Sequence, residues 1–442
     1  MVNAVTTRTL ITGGVVFSVD PEIGTLPRGD VLLEDGVIRA VAPEIPVTDA
    51  RIVDATNRIV LPGLVDTHRH LWQAAVRQIA ADWTLGQYVE QMLLQLGPKF
   101  TPDDVYVADL LGAIEALDSG ITTIMDWSHI IRTPEHADEA VRGLAESGIR
   151  AVFGYGNPWS PQAGWYRADV VRVAERYFPA KDSLLTFAIA SLGPEFGPVD
   201  EALIDLELAR ELDVRLSTHV GVGLLGQARS VSELHRRGLL GPDLIYVHCN
   251  TCTDEELTMI ADSGGHVSLS PRVEMQMGHG YPATGRVRAA GLEPSLSVDV
   301  VSGVGGSLFA EMRGTLEAER GWQNHLALSR GETLAELTIT AADVVRMATI
   351  EGARALGLDD RIGSLTPGKQ GDLILLDVEL PNLFLVNHLP AAITLADSQN
   401  VEAVFVAGEQ VKAGGRMVRH DLPALRERVR SSRDGLVKNW SL

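Results

Sequence analysis

Between residues 63 and 299, short apolar stretches alternate with longer amphipathic ones, and this alternation constrains the fold more than any other feature. Stretches such as Pro102–Ser119 and Asp254–Ser263 predict helices. The apolar stretches predict eight strands, namely Gly63–Thr67, Thr122–Asp126, Arg150–Tyr155, Leu184–Ala190, Arg215–His219, Leu244–His248, His266–Ser270 and Pro294–Asp299. Strands that alternate with helices form parallel sheets, and eight such units predict an α/β fold, the closed (β/α)8 TIM barrel.

The two ends of the chain are β-rich in a different way. Before residue 63, short strand-like runs are broken by Gly, Asp and Pro, and Asp35-Gly36 is a hairpin signal. Strand-like runs return at 371–376 and 401–406. Neither segment is large enough to fold well alone, so we predict that both pair in a small β-sandwich beside the barrel. The predicted domains are 1–62, the N-terminal part of the sandwich, 63–364, the barrel, and 365–442, the C-terminal part with a terminal helix.

Histidine and aspartate side chains stand at the ends of several predicted barrel strands. His68 and His70 end the first strand one residue apart, so both side chains point to one face. His219, His248 and Asp299 end strands five, six and eight. Active sites of such barrels lie at the C-terminal ends of the strands, and imidazole is a good ligand for transition metals. The pattern therefore predicts a metal site.

Motifs spread over nearly the whole chain are Leu61–His70, Gly120–Asp126, His248-Cys249 with Thr253–Glu256, Glu311–Arg313 and Ile362–Leu373. They resemble the amidohydrolase superfamily, in particular the branch of cytosine and guanine deaminases, S-adenosylhomocysteine/methylthioadenosine deaminases and triazine hydrolases. The resemblance implies that one divalent metal ion, zinc first and iron as the alternative, is bound by His68, His70, His219 and Asp299. It also implies catalytic roles for His248, which would orient the water or polarise the substrate, and for Asp299, which would accept the proton of that water.

One position departs from this branch. Its deaminases usually carry a proton-shuttling glutamate three residues after the strand-five histidine, where this chain has Val222. Glu195 and Glu274 are candidate substitutes. We predict a metal-dependent aminohydrolase (deaminase) of a small nitrogen heterocycle that uses a metal-activated hydroxide. The alternative is hydrolysis of a cyclic amide, lactam or imide, or another reaction that releases no ammonia.

Loops that follow the predicted strands supply candidate substrate contacts. Trp72 would be a stacking wall, Gln73 a hydrogen-bond partner and Arg272 a bidentate partner of a carboxylate or ring carbonyl. The structural alternatives are that Trp72 packs beneath its loop and that Arg272 pairs with Glu274. The full set of candidates is Trp72, Gln73, Trp83, His129, Arg272, Glu274 and His279.

Composition excludes several classes of partner. With 58 acidic and 38 basic residues, the net charge is −20, which argues against nucleic acid or an anionic membrane as partner. The first residues show no secretory signal, and no run of 18 apolar residues predicts a membrane span. Two cysteines, Cys249 and Cys252, fit a reducing compartment. We therefore expect a cytoplasmic enzyme whose partner is a small heterocyclic substrate, and we leave a homo-oligomer open.

Overall fold

The computed structural model describes residues 7–156, 166–438 and 440. The N-terminal segment contains strands β1 Arg8–Phe17, β2 Thr25–Glu34, β3 Val37–Ala42, β4 Arg51–Asp54 and β5 Arg58–Pro62. The central strands are β6 Leu64–Arg69, β7 Ile121–Ser128, β8 Arg150–Gly156, β9 Leu185–Ser191, β10 Arg215–Val220, β11 Leu244–His248, β12 His266–Leu269 and β13 Ser295–Leu296. The C-terminal segment adds β14 Leu373–Asp377, β15 Val401–Val406, β16 Glu409–Ala413 and β17 Arg416–Met417.

Helices separate the central strands and flank the C-terminal ones. They are α1 Leu85–Tyr88, α2 Pro102–Asp118, α3 Pro134–Ser147, α4 Tyr166–Tyr177, α5 Gly193–Phe196, α6 Val199–Glu211, α7 Ser230–Arg236, α8 Asp254–Ser263, α9 Pro271–Met277, α10 Thr284–Ala289, α11 Leu308–Ser329, α12 Ala341–Met347, α13 Ile350–Leu356, α14 Leu389–Thr394 and α15 Leu422–Leu436. Shorter helical turns include Leu71–Val76, and Val89–Leu96 is a π-helix. Within the described ranges, no helix combines the length and the apolar character that a membrane crossing requires.

Local sequence signals set the ends of these helices. Thr101 caps α2, because its hydroxyl accepts the N–H of Asp104 while the Asp104 carboxylate accepts the N–H of Thr101. Thr253 and Glu256 form the same reciprocal pair at the start of α8. At the other end of α8, Gly264 takes a left-handed conformation with φ of 74°, which glycine adopts without strain. Helix α8 therefore ends shortly before β12 begins at His266.

Strands β6–β13 form one parallel sheet in sequence order, and the predicted (β/α)8 barrel is confirmed. The barrel closes where the end of β6 meets the segment after β13. There the N–H of His70 donates to the carbonyl of Asp299, and the N–H of Asp299 donates to the carbonyl of His68, both at 2.9 Å. Seven strands end within two residues of their predicted bounds, whereas β13 is much shorter than the predicted Pro294–Asp299.

Strands from the two ends of the chain form a single nine-stranded sheet, as the predicted pairing of these segments requires. The two segments join where β14 pairs antiparallel with β5. The sheet curls back on itself, because the N–H of Gly371 donates to the carbonyl of Gly36 at 2.7 Å. Side chains from both segments, such as Val31, Val60 and Phe405, share one buried apolar cluster. The domain limits at 62/63 and 364/365 stay a prediction.

A buried ion pair fastens this sheet to the barrel. Arg150 at the start of β8 makes two hydrogen bonds to Asp372, with Nε–Oδ2 2.8 Å and Nη2–Oδ1 2.9 Å. Both side chains are at most 2% exposed. Asp372 also accepts the N–H of Ala407 at 2.7 Å. The barrel is thus held to the second sheet at the end opposite to the C-terminal ends of its strands.

Candidate active site

Four histidines and one aspartate meet at the C-terminal end of the barrel. His68 lies in β6, His219 in β10 and His248 at the end of β11, while His70 directly follows β6 and Asp299 lies three residues after the end of β13. The Nε2 atoms of His68 and His219 are 3.2 Å apart. Oδ1 of Asp299 lies 3.4 Å from Nε2 of His68 and 3.3 Å from Nε2 of His70. The structure therefore brings together all five residues that the strand ends single out.

Two of these imidazoles are oriented by hydrogen bonds on the side away from the cluster. Nδ1–H of His70 donates to the backbone carbonyl of Trp127 at 2.7 Å, which leaves its Nε2 lone pair facing Asp299. Nδ1–H of His248 donates to Oε1 of Glu274 at 3.2 Å, and its Nε2 lies 3.7 Å from Oδ2 of Asp299. Such outer hydrogen bonds fix the tautomer and the ring orientation of a ligating or catalytic histidine.

The backbone is unusual at the same two strand ends. His248 has φ of 79° and Asp299 has φ of 66°, both in the left-handed region that non-glycine residues seldom occupy. Such conformations cluster at functional sites, because the surrounding structure must stabilise them. Here the bonds that close the barrel fix the backbone of Asp299. The strained geometry thus coincides with the converging side chains.

Burial controls the protonation of the cluster. It lowers the pKa of His68 to about 3 and the pKa of His219 well below its ordinary value, so both imidazoles are neutral near pH 7. Burial alone would raise the pKa of Asp299, but His68, His70 and His248 lower that pKa well below its usual range. Burial would likewise lower the pKa of His248, yet Glu274 and Asp299 raise it. An ionised carboxylate therefore faces two neutral imidazoles.

Glu274 is the buried carboxylate behind this cluster. Its Oε1 also accepts the N–H of Ser270 at 2.7 Å, and its Oε2 accepts Nδ2–H of Asn250 at 3.0 Å. The side chain is fully buried and is not part of the cavity wall. Glu274 thus holds His248 from behind, where it cannot touch a substrate directly.

A small cavity of about 50 Å³ opens onto the cluster. Its polar wall consists of His70, Tyr88, His129, His219, His248, His279 and Asp299. Its apolar wall consists of Leu85, Val89, Leu93, Trp127, Leu192, Phe196, Val222, Met277 and Val300. Predominantly apolar pockets with a few convergent polar groups are typical of small-molecule sites.

Of the candidate substrate contacts, His129 and His279 line this cavity. His279 is 4% exposed, neither of its ring nitrogens has a hydrogen-bond partner, and its ring centre lies 4.7 Å from that of His248. Burial lowers the pKa of His279 to about 3 and that of His129 well below its usual value. Two neutral imidazoles therefore face the cavity beside the cluster.

The other candidates lie outside the cavity wall. Trp72 is buried against Phe100, with ring centres 5.0 Å apart. This agrees with the alternative in which Trp72 packs beneath its loop. Gln73 donates to the Tyr88 hydroxyl and so holds a cavity residue from behind. Trp83 packs on Trp440. Nη1 of Arg272 lies 3.7 Å from Oε1 of Glu311, so its ion-pair partner is Glu311 and not Glu274.

Val222 and Glu195 meet just beyond β10. The buried side chain of Val222 forms part of the cavity wall. The Glu195 carboxylate accepts the N–H of Gly221 at 2.6 Å and that of Val222 at 3.2 Å, and it lies outside the wall. An apolar side chain thus faces the cavity here, with a carboxylate behind its backbone.

Several residues of the cavity wall were not predicted from the sequence. Tyr88 and Val89 lie where α1 passes into the π-helix, and Leu93 follows one turn later. Phe196 ends α5 beyond β9, with its ring centre 5.7 Å from that of His219. These side chains carry no chemical signature, and only their position on short helices after barrel strands marks them.

The donor atoms fit a metal ion. In each of two groups of three residues, the possible ligand atoms, one per residue, lie within 4.8 Å of one another. The groups are His68/His70/His219 and His68/His248/Asp299. The neutral imidazoles of His68 and His219 direct Nε2 at each other, an arrangement that a cation between them would stabilise. Imidazoles with one carboxylate suit zinc or iron.

Comparisons with known proteins identify the family of the chain. A family model described as "Amidohydrolase family" matches residues 59–411. A 5-methylthioadenosine/S-adenosylhomocysteine deaminase from Symbiobacterium thermophilum is 31% identical over 85% of this chain and 86% of its own length. A 5'-deoxyadenosine deaminase from Methanosarcina mazei is 26% identical over 97% and 98%. The crystal structure of an adenosine deaminase from Xanthomonas campestris with bound zinc superposes with a TM-score of 0.87, at 25% identity, over 97% of this chain and 98% of that one. The chain therefore belongs to the amidohydrolase family.

Proposed function

We propose that the protein is a metal-dependent aminohydrolase that removes the amino group of a small nitrogen heterocycle. In this reaction, the oxygen of water replaces the amino nitrogen on a ring carbon, and ammonia leaves. The observation that carries the proposal is the convergence of His68, His219 and Asp299 beside a largely apolar cavity. Relatives that match nearly the whole chain are named deaminases, which favours aminohydrolysis over the alternative that releases no ammonia.

The metal ligands we propose are His68, His70, His219 and Asp299. Zinc is the first choice, because the related adenosine deaminase binds zinc. A bound zinc ion lowers the pKa of a water ligand to around 7, which makes a nucleophile available at neutral pH. The protein's part is to present neutral imidazoles and an ionised carboxylate, as the pKa directions of His68, His219 and Asp299 favour.

Asp299 and His248 are the groups we propose for proton transfer. Asp299 is ionised and can accept a proton from the attacking water. His248 presents Nε2 to the cavity, while Glu274 holds its Nδ1–H and favours the protonated ring. The leaving nitrogen needs a proton, because an amide anion is a poor leaving group, and His248 can supply it.

Because position 222 is a valine, proton transfer must be assigned to other groups. In the described cavity wall, Asp299 is the only carboxylate. Glu195 is engaged by two backbone N–H groups and Glu274 by three donors, so each is held outside the wall. Among the described groups of the wall, a proton that reaches the substrate therefore passes through Asp299, an imidazole or the Tyr88 hydroxyl.

Ammonia release tests the proposal. Zinc-loaded protein with verified metal content is assayed on aminated purines, pyrimidines, pterins and triazines. We expect ammonia from at least one ring and complete loss of turnover in Asp299→Asn. The matched control is Asp213→Asn, which makes the same change at a side chain that is 89% exposed. Silence across the panel, or full activity of Asp299→Asn, would refute the mechanism. If the protein instead opens a cyclic amide without releasing ammonia, the alternative hydrolysis would replace the aminohydrolase proposal.

We also propose that the enzyme acts in the cytoplasm, since Cys249 and Cys252 are both free and buried. That the protein has no nucleic-acid partner stays a prediction. Whether it forms a homo-oligomer stays open.

A further inference from the structure

Away from the cluster, the wall of the cavity is largely apolar. Its side chains beyond the cluster are mostly aliphatic or aromatic, such as Leu85, Leu93, Phe196 and Met277. Among the described residues that form the wall, none is Arg, Lys, Asn, Gln, Ser or Thr. A ligand with several hydroxyl groups or a charged tail would therefore lose hydrogen bonds to water and find few replacements.

Two aromatic side chains flank the cluster. The ring centre of Trp127 lies 4.5 Å from that of His219, and the ring of Phe196 approaches the same histidine at 5.7 Å. The indole is fixed, because its Nε1–H donates to the Ser217 hydroxyl at 3.2 Å. Fixed aromatic walls favour flat rings, which stack on them or meet them edge-on.

One polar group of the wall has nothing to bind. Both ring nitrogens of His279 are buried without a hydrogen-bond partner. Buried polar atoms are nearly always paired, so an unpaired imidazole in a cavity wall points to a partner that arrives with the ligand. The hydroxyl of Tyr88, in contrast, already accepts a hydrogen bond from Gln73. The cavity wall thus gives a ligand few polar contacts, and these lie close to the cluster.

From these three observations we infer that the substrate is an uncharged, flat heteroaromatic amine with small alkyl substituents. Its ring hydrogen-bonds His279, and its alkyl groups contact the apolar wall. Nucleosides, and nucleosides that carry an amino-acid tail, are poor substrates. The inference rests on the proposed aminohydrolase function, but it differs from the substrates after which the relatives are named.

Matched ligands that share one ring test the inference. Zinc-loaded protein is titrated by calorimetry with 9-ethyladenine, adenosine and S-adenosylhomocysteine, and with 1-ethylcytosine and cytidine, while ammonia is measured in parallel. We expect the better ethyl compound to exceed its nucleoside at least about 10²-fold in affinity or in kcat/KM. A nucleoside that equals or exceeds its ethyl partner, or no binding by any of the five, overturns the inference. Binding in the expected order without ammonia supports it and refutes the aminohydrolase proposal.

A variant tests the polar contact separately. His279→Phe keeps a ring in the wall and removes both nitrogens, so we expect the Kd of the preferred ethyl compound to rise about tenfold at unchanged metal content. Met275→Leu, at a side chain that is 43% exposed on α9, is the matched control. An unchanged Kd in His279→Phe overturns the assignment of this contact.

Discussion

Glu274 offers the sharpest test of how the site works, because it acts on His248 without touching the cavity. In Glu274→Gln, one side-chain oxygen still accepts the N–H groups of His248 and Ser270, while the new amide NH₂ faces Nδ2–H of Asn250, donor against donor. One buried unsatisfied group costs about 1–3 kcal/mol, so we expect a loss of that size in the free energy of unfolding. The negative charge behind His248 disappears.

Loss of this charge should lower kcat more than it changes KM. Removing the outer partner of a site histidine typically costs about 10- to 100-fold in activity, which corresponds to about 1.4–2.7 kcal/mol. Glu274→Leu removes the acceptor as well and leaves three buried donors unpaired, so we expect a larger fall in both kcat and stability. His248 is not among the proposed metal ligands, so metal content should stay at one ion per chain in Glu274→Gln.

The assay combines three measurements on each variant. Steady-state kinetics on the best substrate separates kcat from KM, elemental analysis gives bound metal, and urea unfolding gives stability. Met275→Leu on the same helix controls for a general effect of mutation on α9. If Glu274→Gln keeps kcat within about twofold of the parent at equal metal content, a positioning role for Glu274 is refuted. A fall in kcat that tracks only the loss of metal or of stability would refute it too.

Two further predictions concern the metal and the joint between the sheets. Chelation should abolish turnover and lower the unfolding midpoint, since a thousandfold excess of free metal over Kd stabilises a protein by about 4 kcal/mol, and added zinc should restore both; an unchanged midpoint and unchanged activity in metal-free protein would contradict the ligand set. Arg150→Met should lower the free energy of unfolding by about 3–5 kcal/mol, because Asp372 is left charged and buried. Arg150→Met/Asp372→Asn should recover part of this loss in urea unfolding, because asparagine is neutral and still accepts the N–H of Ala407; equal losses in the single and double variants would show that unpaired charge is not the cause.

The barrel could be predicted from the sequence because its strands are continuous apolar runs, the pattern of strands that are buried on both faces. Strand eight is the exception. The sequence predicts a strand over Pro294–Asp299, whereas the strand that forms contains only Ser295 and Leu296. Beyond Leu296 the chain leaves the regular ladder: the N–H of Val298 donates to the Asp66 carboxylate at 3.1 Å, and Asp299 takes a left-handed backbone. Side-chain hydrogen bonds and a positive φ are tertiary features that hydrophobic patterning does not encode.

The converging histidines could be predicted for a geometric reason. The C-terminal ends of parallel strands share one edge, so strand-end residues such as His68 and His219 meet there whatever the loops do. A position shortly after a proposed metal ligand is a weaker guide. Trp72 and Gln73 lie two and three residues after His70, but the helical turn Leu71–Val76 buries both outside the cavity. The wall is built instead from short helices after several strands, whose apolar side chains look like ordinary core residues.

The departure at Val222 and the position of Glu274 belong to one physical argument. A carboxylate in the cavity wall can carry protons, but it also attracts water and rewards polar or cationic substrates. With valine at this position and Glu274 set behind His248, the described wall keeps Asp299 as its one carboxylate, next to the other proposed metal ligands. The negative charge that supports His248 is thereby shielded from the ligand, while the wall itself becomes apolar. We therefore propose that proton transfer and substrate choice are coupled in this chain, because setting the second carboxylate behind an imidazole also favours an uncharged, alkyl-bearing ring.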